Sequence, residues 1–127
     1  MTLLIVEDNS TVRKLIRRAV ADIADTITEC DDGARSLLAY EAHRPDVVLM
    51  DVRMPGMDGL TATRLLIRHH PHAKVVILTD YDDDEVRAAA HEAGACAYAL
   101  KNNLTELDEV LLEVYNKPPA NSLPASV

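Results

Sequence analysis

The run Pro45-Asp46-Val47-Val48-Leu49-Met50-Asp51, continuing as Val52-Arg53-Met54-Pro55-Gly56-Met57-Asp58-Gly59, decides the fold. An unbroken apolar stretch of this length reads as a strand buried on both faces, as in a parallel sheet covered by helices on each side. It delivers a lone carboxylate, Asp51, into a loop rich in Pro and Gly. In an open parallel sheet, ligands bind in the crevice outside the carboxyl ends of the strands, so Asp51 is the first candidate functional residue.

Upstream, Leu3-Leu4-Ile5-Val6 reads as another buried strand, ending in the acidic turn Glu7-Asp8-Asn9-Ser10. A first helix follows, with Val12, Leu15, Ile16, Ala19, Val20 and Ile23 inward and Asn9 or Ser10 as its cap. Arg13, Lys14, Arg17 and Arg18 on its other face read as a solvated surface in preference to a docking site. Thr26 to Cys30 alternates, which suits an edge strand. Ala34, Leu37, Leu38 and Ala42 form the stripe of a second helix that stops near His43, because Pro45 forces an extended residue before it.

Downstream, Asp58 caps a third helix through Leu60, Leu65, Leu66 and Ile67, which ends by Pro71. His69, His70 and His72 there read as cations at a helix C-terminus before they read as a metal site. Lys74 to Leu78 is a buried strand that delivers Thr79. An acidic run from Asp80 to Glu85 opens a fourth helix, closed by Gly94, and acid is favoured there by the macrodipole. Ala95 to Leu100 is a small-residue strand delivering Lys101. A fifth helix starts near Thr105, with Leu107, Val110, Leu111, Val114 and Tyr115 inward. Strand followed by helix, five times over, is an α/β chain with a doubly wound parallel sheet and helices on both faces. Periodicity does not give the strand order.

A chain of 127 residues fits one domain. A formal net charge of −8 excludes this chain, by itself, from gripping a nucleic-acid backbone. Cys30 and Cys96 read as reduced, buried core residues, and with no apolar run near the roughly 18 residues of a membrane span the expectation is a cytoplasmic protein without membrane contact. Residues 117–127, with three prolines, read as a linker or disordered tail.

If the strand order is flavodoxin-like, 2-1-3-4-5, the ends of neighbouring strands bring together Glu7, Asp8, Asp51, Thr79 and Lys101, and put Cys30 and Cys96 at opposite edges. Three converging carboxylates repel one another, and one lysine does not neutralise them. A hard divalent cation is the natural remedy, since carboxylates, a carbonyl and waters make the oxygen shell Mg²⁺ prefers. Such a site suits an aspartate nucleophile attacking a phosphoryl group, with Lys101 and the Thr79 hydroxyl facing the phosphoryl oxygens.

The Glu7-Asp8 pair, PDVVLMD ending in Asp51, the MPGMDG loop, Leu78-Thr79 and Tyr98-Ala99-Leu100-Lys101 together resemble the receiver domain of two-component response regulators. The resemblance covers residues 2 to about 116, giving a receiver domain at 1–116 and the tail at 117–127. It implies the five-stranded 2-1-3-4-5 sheet and Asp51 as acceptor of a phosphoryl group from a histidine kinase or a small donor. It also implies Mg²⁺ held by Glu7, Asp8, Asp51 and the backbone carbonyl of Arg53, with Thr79 and Tyr98 as a switch pair. No enzymatic role is expected beyond self-phosphorylation and self-dephosphorylation. MPGMDG and YDDDE further resemble the subgroup whose receivers precede a helix-turn-helix domain, so DNA would be reached only through a domain absent from this chain. A homodimer on phosphorylation is left open.

Two positions depart from the family pattern. Asp80 stands where a small residue is usual, which predicts slow phosphorylation by anionic donors. Asn102 stands where Lys-Pro with a cis bond is usual. A non-proline cis bond costs about 3 kcal/mol, so either Lys101 is held differently or the loop stores strain. The alternative function is a degenerate receiver that works as a phosphorylation-independent interaction module. A flavin or nucleotide module is disfavoured because Glu7-Asp8 would repel a phosphate. An aspartate-nucleophile phosphatase is disfavoured because Arg53 stands where its second acid belongs.

Overall fold

The computed structural model describes residues 1–118. Among them, the strands β1 (Thr2–Val6), β2 (Thr26–Cys30), β3 (Val47–Asp51), β4 (Val75–Thr79) and β5 (Ala97–Leu100) alternate with the helices α1 (Ser10–Ala19), α2 (Ser36–His43), α3 (Gly59–His69), α4 (Asp84–Ala93) and α5 (Leu107–Asn116). The strands form one parallel sheet in the order β2-β1-β3-β4-β5, the flavodoxin-like arrangement the resemblance implied.

Every residue of β3 and β4 is buried. On one face, Leu3, Ile5, Leu49, Val76 and Leu78 pack with Ile16 of α1 and Leu107, Leu111 and Val114 of α5. On the other, Leu4, Val48, Met50, Val75 and Ile77 pack with Ala62 and Leu66 of α3 and Ala90 of α4. Each fully buried Val, Leu or Ile stabilises the fold by about 1.5–3 kcal/mol relative to exposure, so the aliphatic sheet needs no aromatic centre. β2, at the sheet edge, has the polar alternation of a half-covered strand.

The helix starts follow from local chemistry. Asn9 caps α1 by accepting from the amides of Thr11 and Val12, Asp58 caps α3 through Leu60 and Thr61, and Asp83 caps α4 through Val86. Gly94 ends α4 in the left-handed region at φ 100°. Gly59 opens α3 where no side chain fits, since a Cβ would lie 1.8 Å from the Asp51 carbonyl oxygen. At the opposite end of the sheet, Lys74 Nζ donates to the carbonyls of Tyr115 (2.9 Å) and Lys117 (2.5 Å), tying the end of α5 to the start of β4.

Several sequence expectations are corrected. The residues from Gly33 to Arg35 form a 3-10 turn, so Ala34 precedes α2 and the apolar phase of that helix shifts. Ser36 is buried, its hydroxyl donating to the Gly33 carbonyl, while Leu38 is 70% exposed. Leu15 and Tyr115, expected inward, are 46% and 40% exposed, because α1 and α5 each cover the sheet with a narrower stripe than the periodicity allowed. Val20 caps α1 and Ile23 lies beyond it. A second 3-10 turn, Leu104–Glu106, delays α5 to Leu107. Cys96 is exposed rather than core, since β5 begins one residue later; Cys30 is buried, and both are free thiols at opposite edges. The expected tail at 117–127 lies, from residue 119 onward, outside the described residues.

Candidate functional site

Register builds the site. Val6 pairs with Met50 and Asp51 with Leu78, so the turn after β1 and the ends of β3 and β4 open into one crevice. Thr79 pairs with Leu100, and the Lys101 amide donates to the Thr79 carbonyl at 2.8 Å, which brings the lysine to the same rim.

Glu7 and Asp51 are each only 1% exposed, whereas Asp8 stands in solvent. Carboxylate oxygens of Glu7, Asp8 and Asp51 lie within 4.8 Å of one another. Lys101 Nζ meets Asp51 Oδ1 at 2.8 Å and Glu7 Oε1 at 2.9 Å. These are ion pairs rather than aligned hydrogen bonds, and Asp51 Oδ2 is buried with no partner at all. Burial and the neighbouring Asp51 push the Glu7 carboxyl up, with Lys101 pulling the other way. Burial and Glu7 likewise raise Asp8. Burial works against the charge of Lys101, but the close carboxylates of Asp51 and Glu7 together carry its pKa above the ordinary lysine value. Three carboxylates against one ammonium leave an excess of negative charge that a divalent cation would cancel. The buried, unpartnered Asp51 oxygen among oxygen donors fits a hard cation such as Mg²⁺.

Lys101 takes this position with a trans bond to Asn102, as no cis peptide bond occurs among the described residues. Of the two expectations the first is met: Lys101 is held differently, without the cis bond, and still reaches Asp51. Thr79 is buried and its hydroxyl accepts from the Tyr81 amide at 3.2 Å. Tyr98 reaches the same loop, its hydroxyl donating to the Tyr81 carbonyl. Burial and the charge of Asp82 raise the Tyr98 pKa, keeping this hydroxyl a donor. Asp82 in turn pairs with Arg87 at 2.8 Å, and Arg87 lies over the Tyr98 ring, 5.0 Å from its centroid.

Sequence reasoning did not find Tyr81. Its ring sits under the Arg53 guanidinium at 4.6 Å, linking the loops after β3 and β4 across the mouth of the crevice. The sequence marks it by its place two residues after a strand-end hydroxyl, at the head of the YDDDE stretch. The basic face of α1 is also more than solvated surface: Arg13 and Arg17 converge on Glu29 of β2 at 2.8 and 2.7 Å. Burial works to raise the Glu29 carboxyl, but Arg17 and Arg13 together hold it below its ordinary value. The histidines at and beyond the end of α3 form no metal cluster among the described residues; His70 pairs with Glu41 at 2.9 Å.

A 2-1-3-4-5 sheet with an acidic pocket and one lysine at its carboxyl end defines a signalling receiver, and the comparisons with known proteins agree. The chain belongs to the response regulator receiver domain family of two-component systems, whose profile matches residues 3–112. It is 41% identical over 115 residues to the response regulator GacA of Pseudomonas viridiflava, covering 88% of this chain and 54% of that protein. Among solved structures, a LuxR-family DNA-binding response regulator from Staphylococcus aureus superposes with a TM-score of 0.81 at 30% identity, over 91% of this chain and 98% of that one. A LuxR-family two-component response regulator from Aurantimonas gives 0.87 at 26% identity, over 93% of this chain and 86% of the other. The chain spans about half the length of the matched GacA proteins, at 54%, and 21% of the length of the DNA-binding transcriptional regulator NtrC of Escherichia coli. Receivers of this family are generally non-enzymatic signalling domains. Among the described residues no helix is long and apolar enough to cross a membrane.

Proposed function

We propose that Asp51 accepts a phosphoryl group from a sensor histidine kinase in the cytoplasm, and that the acyl phosphate switches the output surface of this domain. The observation that carries the reading is the buried, unpartnered Asp51 oxygen beside Lys101 and two further carboxylates. An Asp51 oxygen attacks phosphorus, and the bond from phosphorus to the donor imidazole nitrogen breaks with its electron pair leaving on that nitrogen. Mg²⁺ held by Glu7, Asp8, Asp51 and the backbone carbonyl of Arg53 would neutralise charge on the phosphoryl oxygens. Lys101 exchanges its contacts with Asp51 and Glu7 for a phosphoryl oxygen, and the Thr79 hydroxyl turns from the Tyr81 amide to another. Losing that contact frees the loop that Tyr98 holds, which makes Thr79 and Tyr98 a coupled pair.

The LuxR-family relatives support an output through a DNA-binding domain outside this chain. Lys101 in contact with Asp51 favours a working acceptor over a phosphorylation-independent interaction module. Mg²⁺-dependent beryllofluoride binding separates the two. Incubation with acetyl phosphate and Mg²⁺, read by intact mass and by oligomer size, should label the wild type and leave Asp51→Asn unlabelled. Labelling that survives in Asp51→Asn overturns the assignment.

A further inference from the structure

Arg13 is the fourth residue of α1, closing its first turn, where the helix macrodipole disfavours a cation, and no acidic residue in that turn offsets it. Its side chain is nevertheless mostly buried, at 19% exposure. Nη1 donates back over the helix start to the carbonyls of Glu7 (2.8 Å) and Asp8 (3.2 Å), while Nε pairs with Glu29 Oε1 at 2.8 Å. One guanidinium therefore grips two consecutive carbonyls of the acidic turn and is itself anchored to β2. The turn is held at its other points too: the Glu7 amide donates to the Cys30 carbonyl at 3.0 Å, and the Asn9 amide approaches the Glu7 carboxylate at 3.4 Å.

We infer that Arg13 is a positioning residue for cation binding, fixing the Glu7-Asp8 backbone so that both carboxylates face the Asp51 crevice. This rests on the reading of Glu7, Asp8 and Asp51 as the cation ligands. Removing the partners that orient metal-binding groups typically weakens affinity by about 10–100-fold. The fork geometry matters because one Lys ammonium does not reproduce two edges of a guanidinium. Glu29 has a part as well: it anchors Arg13 Nε at 2.8 Å and offsets part of the charge that Arg13 and Arg17 bring to that edge of the site.

The test is Mg²⁺ titration by calorimetry on wild type, Arg13→Gln, Arg13→Lys and Lys14→Gln, with thermal midpoints measured without Mg²⁺. Lys14 is exposed on the same helix turn and controls for loss of one charge. Arg13→Gln and Arg13→Lys should both bind Mg²⁺ about tenfold more weakly, with Lys14→Gln within twofold of wild type. Wild-type affinity in either Arg13 variant overturns the inference, and so does full rescue by Arg13→Lys, which would make the effect one of charge. Should Arg13→Gln fail to fold, Arg13→Lys, which keeps the charge and loses the fork, alone decides. Wild type and Asp8→Asn that bind Mg²⁺ equally would instead overturn the ligand assignment beneath it.

Discussion

Asp80 follows the buried Thr79 and is itself exposed, one residue from the hydroxyl that faces an anionic donor in the proposed phosphoryl transfer. Exposed charges interact by no more than about 1 kcal/mol, which still changes a rate several-fold. Asp80→Ala should accordingly accelerate labelling by acetyl phosphate several-fold without altering its dependence on Asp51; equal initial rates in the two proteins reject the idea. At this scale the sequence was most legible where function coincides with a strand end. Asp51, Thr79 and Lys101 each close an apolar run, and the sheet does the rest. The roles of Tyr81 and Arg13 are not legible there, because they depend on how far a side chain reaches across to another element, which no linear spacing encodes.

Caps and punctuation decided the elements. Asn9, Asp58, Asp83 and Gly94 stand where the helices begin and end, and for Asp58, Gly94 and the Asn9-Ser10 pair the role is legible in chemistry within a few residues. The misplacements of Leu38 and of the start of α5 have one cause: a short 3-10 turn advances the chain by three residues per turn and rotates the apolar stripe that follows. Asp58 supports the start of α3, where Gly59 packs on the backbone of Asp51. Asp58→Ala should lower stability by about 1 kcal/mol at neutral pH in urea unfolding. Burial pushes the Asp58 carboxyl up, but the Thr61 and Leu60 amides and the Thr61 hydroxyl together hold it below its ordinary 3.8. A depressed carboxyl contributes stability above its unfolded pKa that is lost as pH falls through the folded one. The gap between wild type and Asp58→Ala should therefore close below pH 3.8, and a gap that persists there would sink the capping explanation.

For the molecule as a whole, the apolar sheet is the stable part and the acidic crevice the costly one. Two buried carboxylates share one lysine, so the metal-free fold carries repulsion that a bound cation removes. Mg²⁺ at ten times its dissociation constant should add about 1.4 kcal/mol of stability by mass action, a rise of several degrees in the melting midpoint. Matched ionic strength from NaCl should not reproduce it, and Asp8→Asn should shrink it. The architecture was legible because strand and helix alternate with clear punctuation, while the strand order came only with the family resemblance.

The tether from Lys74 to the end of α5 places the departing chain beside the first residue of β4, and Thr79 is the last residue of that same strand. Five residues of strand span about 17 Å. β4, buried along its whole length in an interior of low compressibility, thus forms a strut with the acidic crevice at one end and the anchorage of the end of α5 at the other.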